Sequence, residues 1–155
     1  MSPTMLAVPD AKSLVAASKL QTLLPKFVAL TLDAKQAHWN VTGAAFLPVH
    51  TLTDEFAVLL RTWTDRIAER AVALGMAVDA RPTTVAASVP RPFPTGWVSD
   101  NEAIAELVGR IDELTVAIRH SASDLESSDI VAHDAVVEAL EGLEKYRWMF
   151  LATSR

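Results

Sequence analysis

The amino-acid sequence predicts an all-α protein folded as a four-helix bundle with one long crossover connection. Three observations indicate this class: two long helical patterns in the first half, two more in the second half, and a proline-rich stretch between the two pairs. The chain has 155 residues, of which 50% are hydrophobic and 21% are charged, enough for one domain with a substantial core. We therefore expect a short flexible tail at 1–9 and a single bundle domain at 10–155.

The first predicted helix follows Asp10, a residue type suited to an N-cap, and runs to about Trp39. Pro25 lies inside it, where a proline removes one hydrogen bond and costs about 3 kcal/mol. The apolar residues nevertheless keep to one face on both sides of this proline: Leu20, Leu23, Leu24, Phe27 and Leu30. We therefore expect a kink at Pro25 rather than a full break.

The second predicted helix runs from about Leu47 to Leu74 and has two distinct faces. Pro48 falls in its first turn, where proline is tolerated, and Gly75 is suited to its C-terminal cap. Its apolar face comprises Val49, Leu52, Phe56, Leu59, Leu60, Trp63, Ile67, Ala71 and Leu74. At about 100° per residue these positions form one broad arc, so this face is expected to pack into the bundle.

The opposite arc of the second helix carries one imidazole and three carboxylates. His50 and Asp54 are one turn apart, as are Asp65 and Glu69. This ligand set suits iron or manganese, although acidic residues opposite an apolar stripe are also typical of any surface helix. His50 and Asp65 lie about 22 Å apart along the axis, far beyond the roughly 2 Å of a metal–ligand bond. Either the two pairs serve different sites, or two copies of the helix run antiparallel across a two-fold axis.

The second half of the chain predicts a long connection and two further helices. Residues 76–98 contain four prolines and are long enough to cross from one end of a bundle to the other.

Ser99 and Glu102 form a capping box that opens the third helix. Its apolar stripe comprises Ile104, Leu107, Val108, Ile111, Leu114, Ile118 and Leu125. We expect the polar segment 121–129 to end this helix. The fourth helix, from about Ile130 to Ala152, presents Val136, Val137, Leu140, Leu143, Tyr146 and Phe150.

The stretch 35–71 resembles the signature of the Dps family, the mini-ferritins. The resemblance rests on Lys35-Gln36-x-His38-Trp39-Asn40-Val41-x-Gly43, followed by Phe46, His50, Asp54-Glu55-Phe56, Asp65 and Ala68-Glu69-Arg70-Ala71. Weaker similarity extends over most of the chain and includes Leu143-Glu144-Lys145-Tyr146-x-Trp148. The departures are mild, since Thr42 and Ala44 stand where a basic residue and a proline are common. The resemblance implies a ferritin-like bundle whose crossover carries a short helix, near residues 85–88, resting on a two-fold contact.

The resemblance also implies a role for the polar arc of the second helix. His38, His50 and Asp54 would come from one subunit of a homododecamer, and Asp65 and Glu69 from its two-fold neighbour. Asp65 and Glu69 would bind iron directly, and Asp54 either directly or through another ligand. The site would be a ferroxidase that oxidises Fe²⁺, preferably with H₂O₂, and the hollow particle would store ferric mineral and so protect against oxidative stress. The chain contains no Glu-x-x-His, so the in-core di-iron site of other bundle proteins is not encoded.

Two residues of this motif have alternative interpretations. Trp39, adjacent to His38, would absorb stray oxidising equivalents at such a site, and a core position is the equally weighted alternative. His38 on its own would fit the C-terminus of a helix, where positive charge is favoured. Trp63 and Trp148 lie on apolar stripes and are expected in the core.

Other polar residues in the second half suggest further possibilities. Asp124, Glu126 and Asp129 are expected in the link between the third and fourth helices, as a solvated loop or as an acidic pore that draws Fe²⁺ inward. His133-Asp134 resembles the core of an HD-type metal phosphohydrolase, but its companion ligands are missing, so this alternative is a minor one.

The charge of the chain disfavours a protein built mainly to hold nucleic acid. Its net charge is −5, so twelve copies carry about −60, and no basic side chain precedes Lys12 in the tail. Because Dps proteins that bind DNA usually do so through a basic tail, we expect weak or no DNA binding. A DNA-compacting protein with little ferroxidase activity is the alternative function.

Composition also bears on where the protein is found. The chain has no cysteine, which agrees with a reducing compartment. The N-terminal residues show no secretory signal pattern, and no apolar run approaches the roughly 18 residues that a membrane span needs. We therefore expect a cytoplasmic protein without a membrane partner.

Overall fold

The computed structural model describes residues 9–153, in which four long helices and one short helix account for most of the chain. The helices are α1 (Ala11–Asn40), α2 (Phe46–Ala73), α3 (Pro82–Ala87), α4 (Asp100–Ser128) and α5 (Ile130–Thr153). α1 packs against α2 and α4, and α5 packs against α4 and α2, so the four long helices enclose one core. The all-α class, the long crossover and the short helix inside it are confirmed. Residues 1–8 of the predicted tail lie outside the described residues.

α1 begins and continues as its sequence predicts. The Asp10 carboxylate accepts a hydrogen bond from the Ser13 N–H at 2.7 Å, which makes Asp10 the N-cap. The helix is unbroken at Pro25, and the apolar residues that flank this proline on the predicted face are all buried. The kink itself stays a prediction.

α2 ends at a glycine, as expected. Gly75 has a φ of +89°, a conformation that glycine adopts without a steric cost. The Gly75 N–H donates to the Val72 carbonyl at 2.9 Å, and the Met76 N–H donates to the Ala71 carbonyl at 3.1 Å. This pair of bonds is a Schellman motif, which satisfies carbonyls that the helix end would otherwise leave free.

The predicted break between the third and fourth helices is wrong in position. α4 continues through the polar segment to Ser128, and Asp129 alone separates it from α5. Serine hydroxyls in this segment donate back to carbonyls one turn earlier, Ser121 to Ala117 and Ser128 to Asp124, so polarity does not interrupt the helix. The buried Leu125 keeps the segment on the core.

Two residues predicted on the apolar stripe of α5 are exposed instead. Val137 is 42% exposed and Trp148 is 60% exposed, whereas Tyr146 is buried. At about 100° per residue, both side chains lie roughly opposite Tyr146 on the helix, which explains the error. Trp63 on α2 is 5% exposed, so its predicted core position is confirmed.

A short parallel strand pair was not predicted. β1 (Val41–Thr42) follows α1, β2 (Val98–Ser99) precedes α4, and Val41 pairs with Val98. The pair joins the end of the crossover to the turn between α1 and α2. Strands of two residues are too short to show the alternating pattern by which strands are recognised.

Polar contacts fix the crossover to the bundle. The Gln21 side-chain amide exchanges two hydrogen bonds of 2.8 Å with the backbone of Asp79. The nearly buried Arg110 guanidinium donates to Asp33 at 2.7 Å and to the Arg91 carbonyl at 3.4 Å. Burial raises the pKa of Asp33, and the attraction of Arg110 opposes that rise.

Candidate metal site

The two histidines of the motif stack on each other at the turn between α1 and α2. The ring centroids of His38 and His50 are 3.8 Å apart, with 20° between the ring planes. The Nδ1 atom of each ring lies 2.8 Å from the backbone carbonyl oxygen of the other histidine. The turn therefore brings the two histidine rings into direct contact.

This reciprocal bonding determines which nitrogen carries the proton in each neutral ring. A carbonyl oxygen can only accept a hydrogen bond, so Nδ1 carries the proton in each neutral imidazole. The lone pair then lies on Nε2, the second ring nitrogen, which has no hydrogen-bond partner among residues 9–153. A backbone carbonyl that holds one nitrogen of a histidine and leaves the other free is the usual support for a metal-binding imidazole.

Asp54, one turn beyond His50, already has a cation beside it. The Lys35 ammonium donates to Asp54 Oδ1 at 2.7 Å and lies 5.5 Å from the centre of the Trp39 ring. This hydrogen bond, helped by the charge of Lys35, lowers the pKa of Asp54. Trp39 is 64% exposed, so its alternative interpretation as a core residue is wrong for the single chain.

Asp65 and Glu69 have no such cation. Both side chains are exposed, and neither makes a hydrogen bond or an ion pair in the described part of the chain. Their neighbours Arg66 and Arg70 are the nearest arginines in sequence, but each is paired with other acids, on α5 or just before it. Arg66 pairs with Asp134 and Glu138, and Arg70 pairs with Asp129 at 2.5 Å. Asp65 and Glu69 therefore face solvent as free carboxylates.

One chain does not assemble these residues into a complete metal site. Across residues 9–153, no group of three or more His, Cys, Asp or Glu side chains could hold a metal ion together. The stacked histidines form one partial ligand set, and the Asp65–Glu69 pair forms another further along α2. Each set offers two donors.

A groove of about 390 Å³ lies beside these residues, between α1 and α2. Its lining comprises Val28, Thr31, Leu32, Lys35, Trp39, Arg61, Thr64 and Asp65. Leu32 is 60% exposed, and Val58, on the same outer arc of α2 as the four polar residues, is 62% exposed. The surface that presents the ligands is therefore partly apolar.

The three acids expected in the link between the last two long helices do not lie in a loop. Asp124 and Glu126 are in the final turns of α4, and Asp129 is the residue between α4 and α5. Lys19 pairs with Asp124 at 2.7 Å, and the hydrogen bond from Arg70 lowers the pKa of Asp129. Cations therefore neutralise two of the three acids, which weakens the attraction that a pore would require.

The pair His133-Asp134 lies in the first turns of α5. Asp134 pairs with Arg66 at 3.1 Å. Because no third potential ligand converges on the pair within the described range, the structure offers no support for an HD-type hydrolase.

Sequence reasoning missed two contributors to this region. The motif contains Lys35, but nothing in its spacing indicated that its ammonium reaches Asp54 on the next helix. Asp100 accepts a hydrogen bond from the Ala45 N–H at 2.7 Å, although 55 residues separate the two. No local sequence signal predicts a contact of that range.

Comparison with known proteins places the fold in a class. Residues 17–154 match the model of the ferritin-like domain. A solved structure of Dps from Microbacterium arborescens in a high iron form superposes with a TM-score of 0.90 and 33% identity, covering 95% of this chain and 97% of that one. The bundle with its long crossover is therefore a ferritin-like domain.

Proteins of similar sequence identify the family within this class to which the chain belongs. The DNA protection during starvation protein of Agrobacterium fabrum is 32% identical over 135 residues, which cover 86% of this chain and 83% of that protein. The protein of the same name from Mycolicibacterium smegmatis is 31% identical and covers 96% of this chain. The chain belongs to the Dps family of ferritin-like proteins. It spans only 56% of a further relative, DNA protection during starvation protein 2 of Deinococcus radiodurans, which is 31% identical.

The helices were also compared with the requirements of a membrane span. None of those in residues 9–153 combines the length and the apolar character needed to cross a bilayer.

Proposed function

We propose that this protein oxidises Fe²⁺ and stores the ferric product, at sites completed between two copies of the chain within a homododecamer. One observation carries the proposal. Two imidazoles with free Nε2 atoms, His38 from the end of α1 and His50 from the start of α2, lie near one end of α2, and two carboxylates without a cation lie towards its other end. Within residues 9–153, neither set alone gathers three potential ligands for a metal ion.

A two-fold axis brings the two sets together. If two copies of α2 cross antiparallel, His50 of one copy can lie opposite Asp65 of the other, and the same operation makes an identical second site. The midpoint between His50 and Asp65 falls beside Val58, whose exposed side chain would pack against its counterpart. The exposed Leu32 and Trp39 would extend this apolar contact on α1.

The carboxylate ligands explain why the proposed site would favour oxidation of Fe²⁺ to Fe³⁺. Carboxylates are hard anions that stabilise Fe³⁺ more than Fe²⁺, so binding at Asp65 and Glu69 favours loss of an electron. Two Fe²⁺ ions each give one electron to H₂O₂, whose O–O bond breaks to yield two hydroxide ions without release of a hydroxyl radical. The ferric ions then hydrolyse to a hydrous oxide inside the particle. Trp39, exposed beside His38, is placed to take up stray oxidising equivalents.

Complementation between variants tests whether two copies build the site. His50→Ala and Asp65→Ala should each slow ferric absorbance after Fe²⁺ and H₂O₂ are added, whereas Glu141→Ala, which removes an exposed carboxylate on α5, should not. Co-assembly of the two slow variants in equal amounts should restore about one quarter of the wild-type sites, because half of the dimers are mixed and each mixed dimer has one intact site. No recovery above the parent variants would contradict a shared site.

A DNA-compacting role is the second candidate, and the names of the relatives favour it. The DNA protection during starvation proteins are named for DNA protection. Protection by removal of Fe²⁺ and peroxide requires no contact with DNA, and the net charge of −5 per chain repels phosphate. A gel-shift assay at about 150 mM salt should therefore show little or no complex with duplex DNA. A tight complex under those conditions would favour compaction.

A further inference from the structure

We infer that Asp100 is a positioning residue for the His38–His50 pair and that it acts through the turn that joins α1 to α2. The inference deepens the proposed function, because the imidazole pair is the site it serves. Asp100 is only 9% exposed, and it has no ion pair in the range that the structure describes. A carboxylate that is nearly buried without a cation requires another source of stabilisation.

The stabilisation comes from two helix N-termini. Asp100 Oδ2 accepts the Ala45 N–H at 2.7 Å, and Oδ1 accepts the Asn101 N–H at 2.8 Å. Ala45 is the N-cap residue of α2, and its own side chain makes no capping bond. The start of α2 is therefore capped by a carboxylate from α4, where a helix N-terminus favours negative charge.

The backbone of the turn passes close to the Asp100 carboxylate at Gly43. Gly43 has a φ of +126°, which a residue with a side chain rarely adopts. A Cβ atom at Gly43 would lie 2.5 Å from Asp100 Oδ2, so only glycine leaves room for the carboxylate. Gly43 and Asp100 are thus matched to each other, and together they determine the path of the chain between the two helices.

Strand pairing holds the same turn from its other side. Thr42 pairs with Ser99, the residue before Asp100, and the Thr42 hydroxyl donates to the Val98 carbonyl at 3.3 Å. The segment 41–45 is therefore attached to α4 by the strand pair and by the Asp100 carboxylate. Its position relative to the bundle depends on both attachments.

The relative position of His38 and His50 depends on this turn, because one histidine lies before the turn and the other lies after it. His38 lies three residues before Val41, and His50 lies five residues after Ala45. Each ring bonds to a backbone carbonyl on the opposite helix, so a displacement of about 1 Å between the helix ends would break both 2.8 Å bonds. Either ring would then be free to carry its proton on Nε2, which removes the lone pair offered to a metal ion.

Three variants separate this positioning role from a general loss of stability. Asp100→Ala removes both hydrogen bonds, and Asp100→Asn keeps the shape but places an NH₂ group, which can only donate, where one of the two acceptors is needed. Ser99→Ala is the matched control. It removes the bond from the Glu102 N–H that caps α4, but it leaves Ala45 untouched.

The first measurement is ¹⁵N-histidine solid-state NMR of the sedimented, metal-free assembly. We expect wild type and Ser99→Ala to share two rings protonated at Nδ1, and Asp100→Ala to show a mixture of tautomers for these rings. The second is titration with Co²⁺, which is not oxidised under these conditions. Asp100→Ala should bind Co²⁺ about tenfold more weakly, Asp100→Asn should be intermediate, and Ser99→Ala should match wild type.

Unchanged tautomers and wild-type Co²⁺ affinity in Asp100→Ala would overturn the inference. If that variant does not fold, Asp100→Asn decides by the same two measurements. If the wild-type protein itself binds no Co²⁺, the proposed function fails, but the tautomer comparison still tests whether Asp100 positions the rings.

Discussion

At the scale of single residues, the candidate ligands differ in which charges already surround them. Lys35 neutralises Asp54, whereas Asp65 and Glu69 face solvent without a cation. A metal ion must displace the Lys35 ammonium before it takes Asp54 Oδ1, but it meets no competitor at the other two carboxylates. The difference agrees with a site in which Asp65 and Glu69 bind directly and Asp54 is secondary.

Replacement of Lys35 tests this order. Lys35→Gln should strengthen Co²⁺ binding at pH 7 by up to about fivefold, the range expected when one exposed ion pair is removed. Titration of the assembled protein measures the effect. Lys12→Gln, which removes an exposed lysine near the start of α1, should leave the affinity unchanged. Weaker binding in Lys35→Gln would instead mean that the lysine orients Asp54 for the metal.

The shared face of the candidate ligands on α2 could be predicted at this scale, but their surroundings could not. Spacing placed His50, Asp54, Asp65 and Glu69 on one arc, because the period of a helix is a local property. The cation at Asp54 comes from α1, and the carboxylate that caps α2 comes from α4. Contacts between distant segments depend on how the helices pack, which a single sequence does not reveal.

At the scale of helices, the predictions succeed where an element carries its own signals. α2 was expected at about 47–74 and spans Phe46–Ala73, since an apolar arc and a C-terminal glycine mark it. The end of α4 was misplaced because serines and acids resemble a loop in composition, although serine hydroxyls can bond back to the helix. The strand pair escaped prediction because its pairing joins residues 57 positions apart.

Close packing between α2 and α5 leaves no room for a side chain at Gly142 on α5. A Cβ atom there would lie 2.2 Å from the ring of the buried Trp63 on α2. Gly142→Ala should therefore destabilise the fold by about 1–3 kcal/mol, the usual cost of overpacking, and lower the thermal unfolding temperature.

Gly109 on α4 provides the matched control for this prediction. A Cβ atom at Gly109 meets only the end of the Arg91 side chain, at 3.9 Å. Gly109→Ala should therefore stabilise the protein by about 0.5–1 kcal/mol, because alanine favours a helix over glycine. Equal effects of the two substitutions on the unfolding temperature would contradict close packing between α2 and α5.

At the scale of the whole molecule, the exposed apolar side chains indicate that one chain is not the complete unit. Leu32, Trp39 and Val58 are each at least 60% exposed and lie on the α1–α2 face that carries the candidate ligands. Burial of these side chains against a second copy would bring together the two partial ligand sets that each chain keeps apart. Assembly and metal binding would then depend on the same surface.

A substitution at Val58 can disrupt assembly without altering any of the candidate metal ligands. Val58→Lys places two like charges together at the proposed axis, so it should split the assembly into smaller species without unfolding the helices, because Val58 faces away from the core. Analytical ultracentrifugation measures the assembly, and circular dichroism measures the fold. Val116→Lys, at an exposed valine on α4, controls for a lysine on any exposed valine.

The activity of the separated Val58→Lys species is the decisive measurement. Each chain would retain His38, His50 and Asp54 but lose access to the second copy's carboxylates, so Fe²⁺ oxidation should fall at least about tenfold, as when a metal site loses ligands. Because the substitution alters none of the candidate ligands, slow oxidation would be attributable to the lost contact. A stable monomer that oxidised Fe²⁺ at the wild-type rate would show instead that one chain is sufficient.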